Sequence, residues 1–237
     1  MDIFNGMKFQ NAKGYWWEVV DCSVSRSIVV KSLEWMPYTT TIRKESVQKG
    51  VVMYPYGKNQ YGGYRGEGRW NASQRNPYFQ VWNGLLVRCN DTEFKSNNPS
   101  YASAAMLEEW YNLQTFCEWC ESSKPNHDNI RWELDKDLLG DGNLYSPDTC
   151  CFLPKDVNLF LSKMDRAYVP RSSGGKWQVW CSDGINLGNR YVGTYPTLEE
   201  AMDIWKQKKN ARLLSLIEKY KCVLPRHVTD ALYSLMK

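Results

Sequence analysis

The chain has 237 residues, a formal net charge of +4 and 43% hydrophobic residues. That is enough apolar content to bury a core, in one large domain or two to three small ones, and too little charge to identify a polyanionic partner from net charge alone. No stretch approaches the roughly 18 apolar residues of a membrane span, and the start MDIFNGMKFQ lacks the apolar centre of an export signal.

Charge is segregated along the chain. Residues 1–66 hold nine Lys and Arg against five Asp and Glu, residues 67–170 ten against fifteen, and residues 171–237 eleven against six. Basic flanks around an acidic centre suit a protein whose ends hold phosphates while its middle collects carboxylates. Chance segregation on solvated faces explains the same distribution. With no export signal, the eight cysteines are expected in a reducing compartment. Cys117 and Cys120 have CxxC spacing but no second clean pair, so packing thiols are expected rather than a structural zinc.

In chain order, alternation and β-branched residues predict strands over Tyr15–Val20, Ile28–Val30 and Thr39–Ile42. Asn59–Gly68 carries four glycines and reads as a loop able to approach another backbone closely. It lacks the GxxxxGK[ST] pattern, so no nucleotide cofactor is expected. Arg65 and Arg69, beside Tyr61, Tyr64 and Trp70, are candidates for DNA contact or decorate a linker. Helical spacing starts near Pro77, and a second helix is predicted over Ala102–Cys120 with Met106, Leu107, Trp110, Leu113 and Phe116 on one face. Ser122–Asn129 reads as a surface loop containing His127.

Trp132–Asp137 and Thr149–Leu153 are predicted strands joined by a turn at Gly140–Asn143, with a helix from about Lys155. In such a unit the helix packs back across the first strand. Asp135 can then face Asn158, and a carboxylate–amide pair leaves most of the coordination sphere of a divalent ion open. Further on, strands are predicted over Lys176–Cys181 and Arg190–Thr194, joined at Ser182-Asp183-Gly184. Thr197-Leu-Glu-Glu200 is a capping box opening a long helix with Ala201, Ile204, Leu213, Leu214 and Ile217 inward. A last helix covers Arg226–Met236. Lys206, Lys208, Lys209 and Arg212 read as a solvated helix face. Period two puts residues 176, 178 and 180 on one side of their strand and 177, 179 and 181 on the other, so one tryptophan meets the helix and the other the outside.

The stretch LDKDLLGDGNLYSPDTCCFLPKDVNLFL, Leu134 to Leu161, resembles the ββα-metal core of HNH endonucleases, in a variant found in tailed-phage homing endonucleases. The segments YGGYRGEG and PYFQVWNGLLVRC resemble the same branch. The end, GKWQVW…GNRYVGTYPTLEEAMDIWK, is similar to ethylene-response-factor (APETALA-type) DNA-binding domains, three strands and a helix. The resemblance implies an α+β protein with a small β-rich domain (1–70), an HNH-like core with flanking helices (71–168) and a DNA-binding domain (169–237). It implies a monomeric Mg²⁺- or Mn²⁺-dependent endonuclease acting on double-stranded DNA, encoded by a phage and located in the cytoplasm of its bacterial host.

Position by position, Asp135 matches the first metal ligand and Asn158 the helical ligand. Lys136 stands where the family has its general-base histidine, and Thr149 where it has the middle asparagine. Lys is a poor base at neutral pH and holds a phosphate or developing negative charge more naturally. Asp137 is the alternative activator of water, or a further ligand, and His127 the only histidine close enough in sequence to fold back. For DNA contact the resemblance points to Lys176, Trp180, Arg190 and Tyr191. The Lys136 and Thr149 replacements leave a second reading open, a catalytically degenerate core serving as DNA-binding scaffold or regulator.

Overall fold

The computed structural model describes residues 2–162, 174–182 and 189–236. Helices and small sheets are mixed, as an α+β chain requires, and contacts divide the chain into two compact units. One unit is Met1–Phe79 with Tyr111–Gln114, and the other is Gln80–Trp110 with Thr115–Lys237.

The first unit is built on an antiparallel meander of β1 (Lys8–Gln10), β2 (Trp16–Asp21), β3 (Ser27–Ser32) and β4 (Thr39–Arg43), followed by the short helix α1 (Lys44–Gln48). Three strands fall where alternation predicts them; β1 and α1 do not announce themselves in the sequence. Alternation buries Trp17 and Val19 of β2 with Ile28 and Val30 of β3, and Tyr54 meets the Trp17 ring edge-on at 6.2 Å. The buried Asn11 fixes the first turn by donating from Nδ2 to the Val52 carbonyl at 2.7 Å while its Oδ1 accepts the Lys13 and Tyr15 amides. The glycine-rich loop behaves as its composition predicts. At Gly66 (φ +68°) a Cβ would lie 2.1 Å from the Asn112 amide oxygen, so only glycine admits that side chain. Gln114 ties the same loop down by donating to the carbonyls of Arg65 and Trp70 at 2.8 and 2.9 Å.

In the second unit, α2 (Phe79–Asn90) and α3 (Thr92–Asn97) are followed by strand β5 (Ala105–Met106), a 3₁₀ turn and helix α4 (Leu113–Ser123). The single helix predicted over Ala102–Cys120 is therefore corrected: the α-helix begins only at Leu113, after a two-residue strand and the 3₁₀ turn. The Ala105 and Leu107 amides donate to the carbonyls of Asn143 and Tyr145, so this backbone is paired with a distant strand and is unavailable for a helix. The helix starts where Asn112 Oδ1 accepts the Gln114 amide. From there the spacing holds, with Phe116, Cys117 and Cys120 fully buried. Trp110, Phe116 and Trp119 form an aromatic stack that ends on Phe152, 5.6 Å from Trp119.

Strand β6 (Trp132–Asp135) pairs antiparallel with β8 (Cys151–Pro154), and helix α5 (Lys155–Leu161) packs against both. The strand–strand–helix unit expected here is present. Its connection is not the tight turn predicted at Gly140–Asn143. Residues 136–150 form a long excursion holding β7 (Leu144–Tyr145), which pairs parallel with β5. The first strand also stops at Asp135 rather than Asp137, because the Asp135 carboxylate accepts the amides of Asp137 and Leu138 and turns the chain.

The C-terminal segment contains β9 (Trp177–Ser182), β10 (Asn189–Tyr195), α6 (Leu198–Tyr220) and α7 (Arg226–Ser234). Thr197 caps α6 as predicted, its Oγ1 accepting the Glu200 amide. Among the described residues the sheet has two strands rather than three; the expected turn at Asp183-Gly184 lies outside them. Val179 is fully buried against Ala201 and Trp205 of α6, so residues 177, 179 and 181 face the helix and Trp180 the other side. The second half of α6 enters a different core. Leu213, Leu216, Ile217 and Tyr220 pack with Leu153 and Val157 of the strand–strand–helix unit and with Val228 and Leu232 of α7. Two side-chain placements depart from expectation. Leu214 is 40% exposed, and Lys209 is buried, its ammonium over the rings of Phe160 and Trp205 at 5.1 and 5.4 Å rather than on a solvated face.

A polar clamp adds to that core. Lys219 and the Tyr220 hydroxyl both donate to Asp156 Oδ2 at 2.9 Å. Burial alone would raise the Asp156 carboxyl, but the two hydrogen bonds outweigh it and hold the group below its ordinary 3.8. A depressed carboxylate stabilises the fold above its unfolded value, and that stabilisation disappears as pH falls through the lower folded value. Asp156→Asn is therefore expected to lose about 1 kcal/mol at pH 7, since the pair is partly solvated. The gap from wild type should close below pH 3 in urea unfolding series, and a gap that persists there would show that charge is not its source.

Candidate functional site

The strand–strand–helix unit opens onto a pocket of about 310 Å³ lined by Asp135, Asp137, Leu138, Asn158, Leu161, Ser162 and Leu235. Asp135 and Asn158, distant in sequence, thus meet in one cavity, with Asp137 as a second carboxylate. Pairing of β6 with β8 carries the chain from Cys151, opposite Asp135, directly into α5, and Asn158 falls on the first full turn of that helix.

Asp135 is 7% exposed. Both its hydrogen bonds fall on Oδ1, from the amides of Asp137 (3.0 Å) and Leu138 (2.8 Å), and Oδ2 receives none among the described residues. Burial pushes its carboxyl above the ordinary carboxylate value despite those two amides, so the site favours a counter-charge or a proton. Asn158 donates from Nδ2 to Glu133 Oε2 at 3.0 Å, which leaves Oδ1 as the amide atom without a partner among the described residues. One carboxylate oxygen and one amide oxygen in a pocket of mixed polar and apolar lining fit a hard, oxygen-seeking divalent cation such as Mg²⁺ or Mn²⁺. Among the described residues no three His, Cys, Asp or Glu side chains gather as a metal group.

Lys136 points away from the pocket. Its side chain is buried between the rings of Tyr101 and Tyr145, with Nζ 5.8 and 5.6 Å from their centres, and reaches Asp137 Oδ1 at 2.6 Å. Adjacent strand-end residues project to opposite sides, which separates Lys136 from Asp135. Asp137 is left exposed, held on one oxygen by the amine. Gly142 (φ +78°) brings the excursion back against this pair, and a Cβ there would stand 2.7 Å from Asp137 Oδ1.

Thr149 braces the excursion: its Oγ1 donates to the Leu144 carbonyl at 2.6 Å and accepts the Ser146 amide. It does not line the pocket. His127 is exposed in the turn before β6, where its carbonyl accepts the Trp132 indole N–H, and it too is absent from the lining. Sequence reasoning missed Glu133. Period two offered the signal, since Glu133 shares a face of β6 with Asp135.

The candidate DNA-contacting side chains are divided between the two units. Arg65 is half-buried, its Nη1 on Met53 Sδ, while Arg69 is exposed with its guanidinium 4.6 Å over the Trp70 ring. Trp180 and Tyr191 are cross-strand partners with ring centres 5.4 Å apart, and Tyr191 is 53% exposed. Lys176 is exposed just before β9. Arg190 lies opposite Cys181, whose side chain is buried, so register puts it on the other face from Tyr191 and Trp180. The candidates in this segment therefore divide between two faces. The cysteines are free thiols. Burial pushes Cys120 and Cys151 up, and Cys150 up to about 12, which keeps them protonated and inert. Compared with family models, curated proteins and solved structures, the chain matches none of them.

Proposed function

We propose that this chain is a metal-dependent endonuclease of the HNH type that cleaves phosphodiester bonds in duplex DNA. The observation that carries the reading is the convergence of Asp135 and Asn158 on one pocket of a strand–strand–helix unit. When bound there, a divalent cation supplies Lewis-acid polarisation of the scissile phosphate and stabilises the leaving oxygen. The chain's own residues do the rest. Asp135 and Asn158 hold the cation through oxygen. Asp137, the exposed carboxylate of the pocket, accepts the proton of the attacking water on the oxygen that Lys136 does not hold. Lys136 acts from its tyrosine cage by fixing Asp137, which accounts for a lysine at the position where the resembled family has its histidine. Leu138, Leu161 and Leu235 wall the pocket and limit bulk water around the reacting phosphate.

Recognition falls to the basic flanks, through Arg69 in the first unit and the Trp180–Tyr191 face with Lys176 in the second. Phosphate contacts of this kind give a binding constant that falls with salt, and flat rings on a sheet meet sugars or bases. No described helix is long and apolar enough to cross a membrane.

Supercoiled plasmid, together with DNA from bacteria and tailed phages to allow for a long target site, is the substrate for the test. Mg²⁺-dependent nicking or linearisation is expected. Asp137→Asn should slow it by about 10²- to 10⁴-fold, the usual contribution of a general base, with DNA retardation in a gel unchanged. Binding without cleavage under every metal and substrate would instead make the core a DNA-binding scaffold. The absence of Lys136 and Thr149 from the pocket lining is the observation on that side.

A further inference from the structure

Resting on the metal-site reading above, we infer that Glu133 is a positioning residue that sets the orientation of the Asn158 amide and thereby makes it a cation ligand. An asparagine amide can present either end to a cavity: the carbonyl oxygen binds a cation, and the NH₂ group repels one. Nothing in the asparagine itself chooses between the two. Glu133 chooses, because a carboxylate only accepts. At 3.0 Å its Oε2 takes the Nδ2 hydrogen, so the amide is turned with Oδ1 away from Glu133.

Glu133 is itself held. It is half-buried on β6, two residues before Asp135 on the same face, and Arg131 Nε approaches its other oxygen at 3.7 Å. Its backbone pairs with Leu153, the fully buried residue of β8. The strand thus supplies one direct ligand and, one pleat earlier, the group that orients the other. Glu133 lies outside the pocket lining, so it acts through Asn158 and not on the cation. Outer partners that orient metal ligands typically account for 10- to 100-fold in metal affinity.

The test is a Mn²⁺ titration of the full chain, read as loss of the free-ion electron paramagnetic resonance signal, without DNA. Wild type should bind, and Asp135→Ala should not. Glu133→Ala should weaken binding by about 10- to 100-fold. Glu133→Gln should stay within about threefold of wild type, since with its own NH₂ turned away its amide oxygen accepts the same Nδ2 hydrogen. Circular dichroism and melting of Glu133→Ala confirm that β6 is intact, and Glu133→Gln supplies the folded comparison if it is not. If Glu133→Gln falls as far as Glu133→Ala, the carboxylate acts by charge alone and orientation is not its role. If Glu133→Ala binds as wild type does, the inference fails while the metal site stands. A wild type that takes up no Mn²⁺ overturns the site, and this inference with it.

Discussion

Asp135→Asn is expected to abolish DNA cleavage, by at least about 10³-fold, and to leave the metal-free protein as stable as wild type or more so. The loss follows from removing the only anionic ligand of the proposed pair, an interaction worth several kcal/mol to the transition state at 1.36 kcal/mol per factor of ten. The stability result follows from the same burial. The carboxyl is pushed up because the ionised form is desolvated, so the folded state holds its proton to higher pH than the unfolded chain. For a raised acid the sign is negative. Without cation, wild-type stability falls as pH rises from the ordinary value of 3.8 through the raised folded value, and remains penalised above it. Asparagine keeps an oxygen for the amides of Asp137 and Leu138 and carries no charge. Melting curves from pH 3 to 8 should show wild type losing stability relative to the variant as pH rises, and Mg²⁺ should raise the wild-type midpoint alone. A variant that melts well below wild type at pH 7 without cation would mean that the ionised carboxylate stabilises the fold, contrary to this account.

Leu213→Ala is expected to cost about 2–5 kcal/mol, the range for truncating a buried leucine where the surroundings cannot close the cavity. Leu213 is fully buried in the core it shares with Leu153 and Val157, the strand and helix residues behind the pocket. Loosening it should lower the temperature at which cleavage is lost, although the substitution is nearly eighty residues from Asp135 in the chain. The adjacent Leu214→Ala, at a 40% exposed position, should change stability by no more than about 0.5–1 kcal/mol. Urea midpoints of the two variants decide the matter. Equal losses would mean that α6 presents a different face to its neighbours.

The local signals that sequence carries were read where geometry is local. Alternation located β2, β3 and β4, and Thr197 with Glu200 marked the start of α6. The antiparallel unit of β6, β8 and α5 was also legible, because apolar strands leading into a helix at Lys155 admit few arrangements. Position 133 was legible in principle, from a pleat shared with Asp135, but a glutamate on a strand has many uses and no local rule chooses among them.

What the sequence determined by itself is the chemistry within reach: Asp135 at the end of one strand and Asn158 in the helix that follows its partner strand, and a strand whose two faces separate Trp180 from Trp177. Tertiary structure decided the rest. Residues 105–107 left the helical pattern because β7 satisfies their backbone groups from forty residues away. Lys136 turned from the pocket into a cage of two tyrosines contributed by distant segments. Leu213 rather than Leu214 went inward because one helix serves two cores, and a helix with apolar residues on several sides has no preferred face until its neighbours arrive. In each case the deciding energy is a contact between residues far apart in the chain, to which a local pattern is blind.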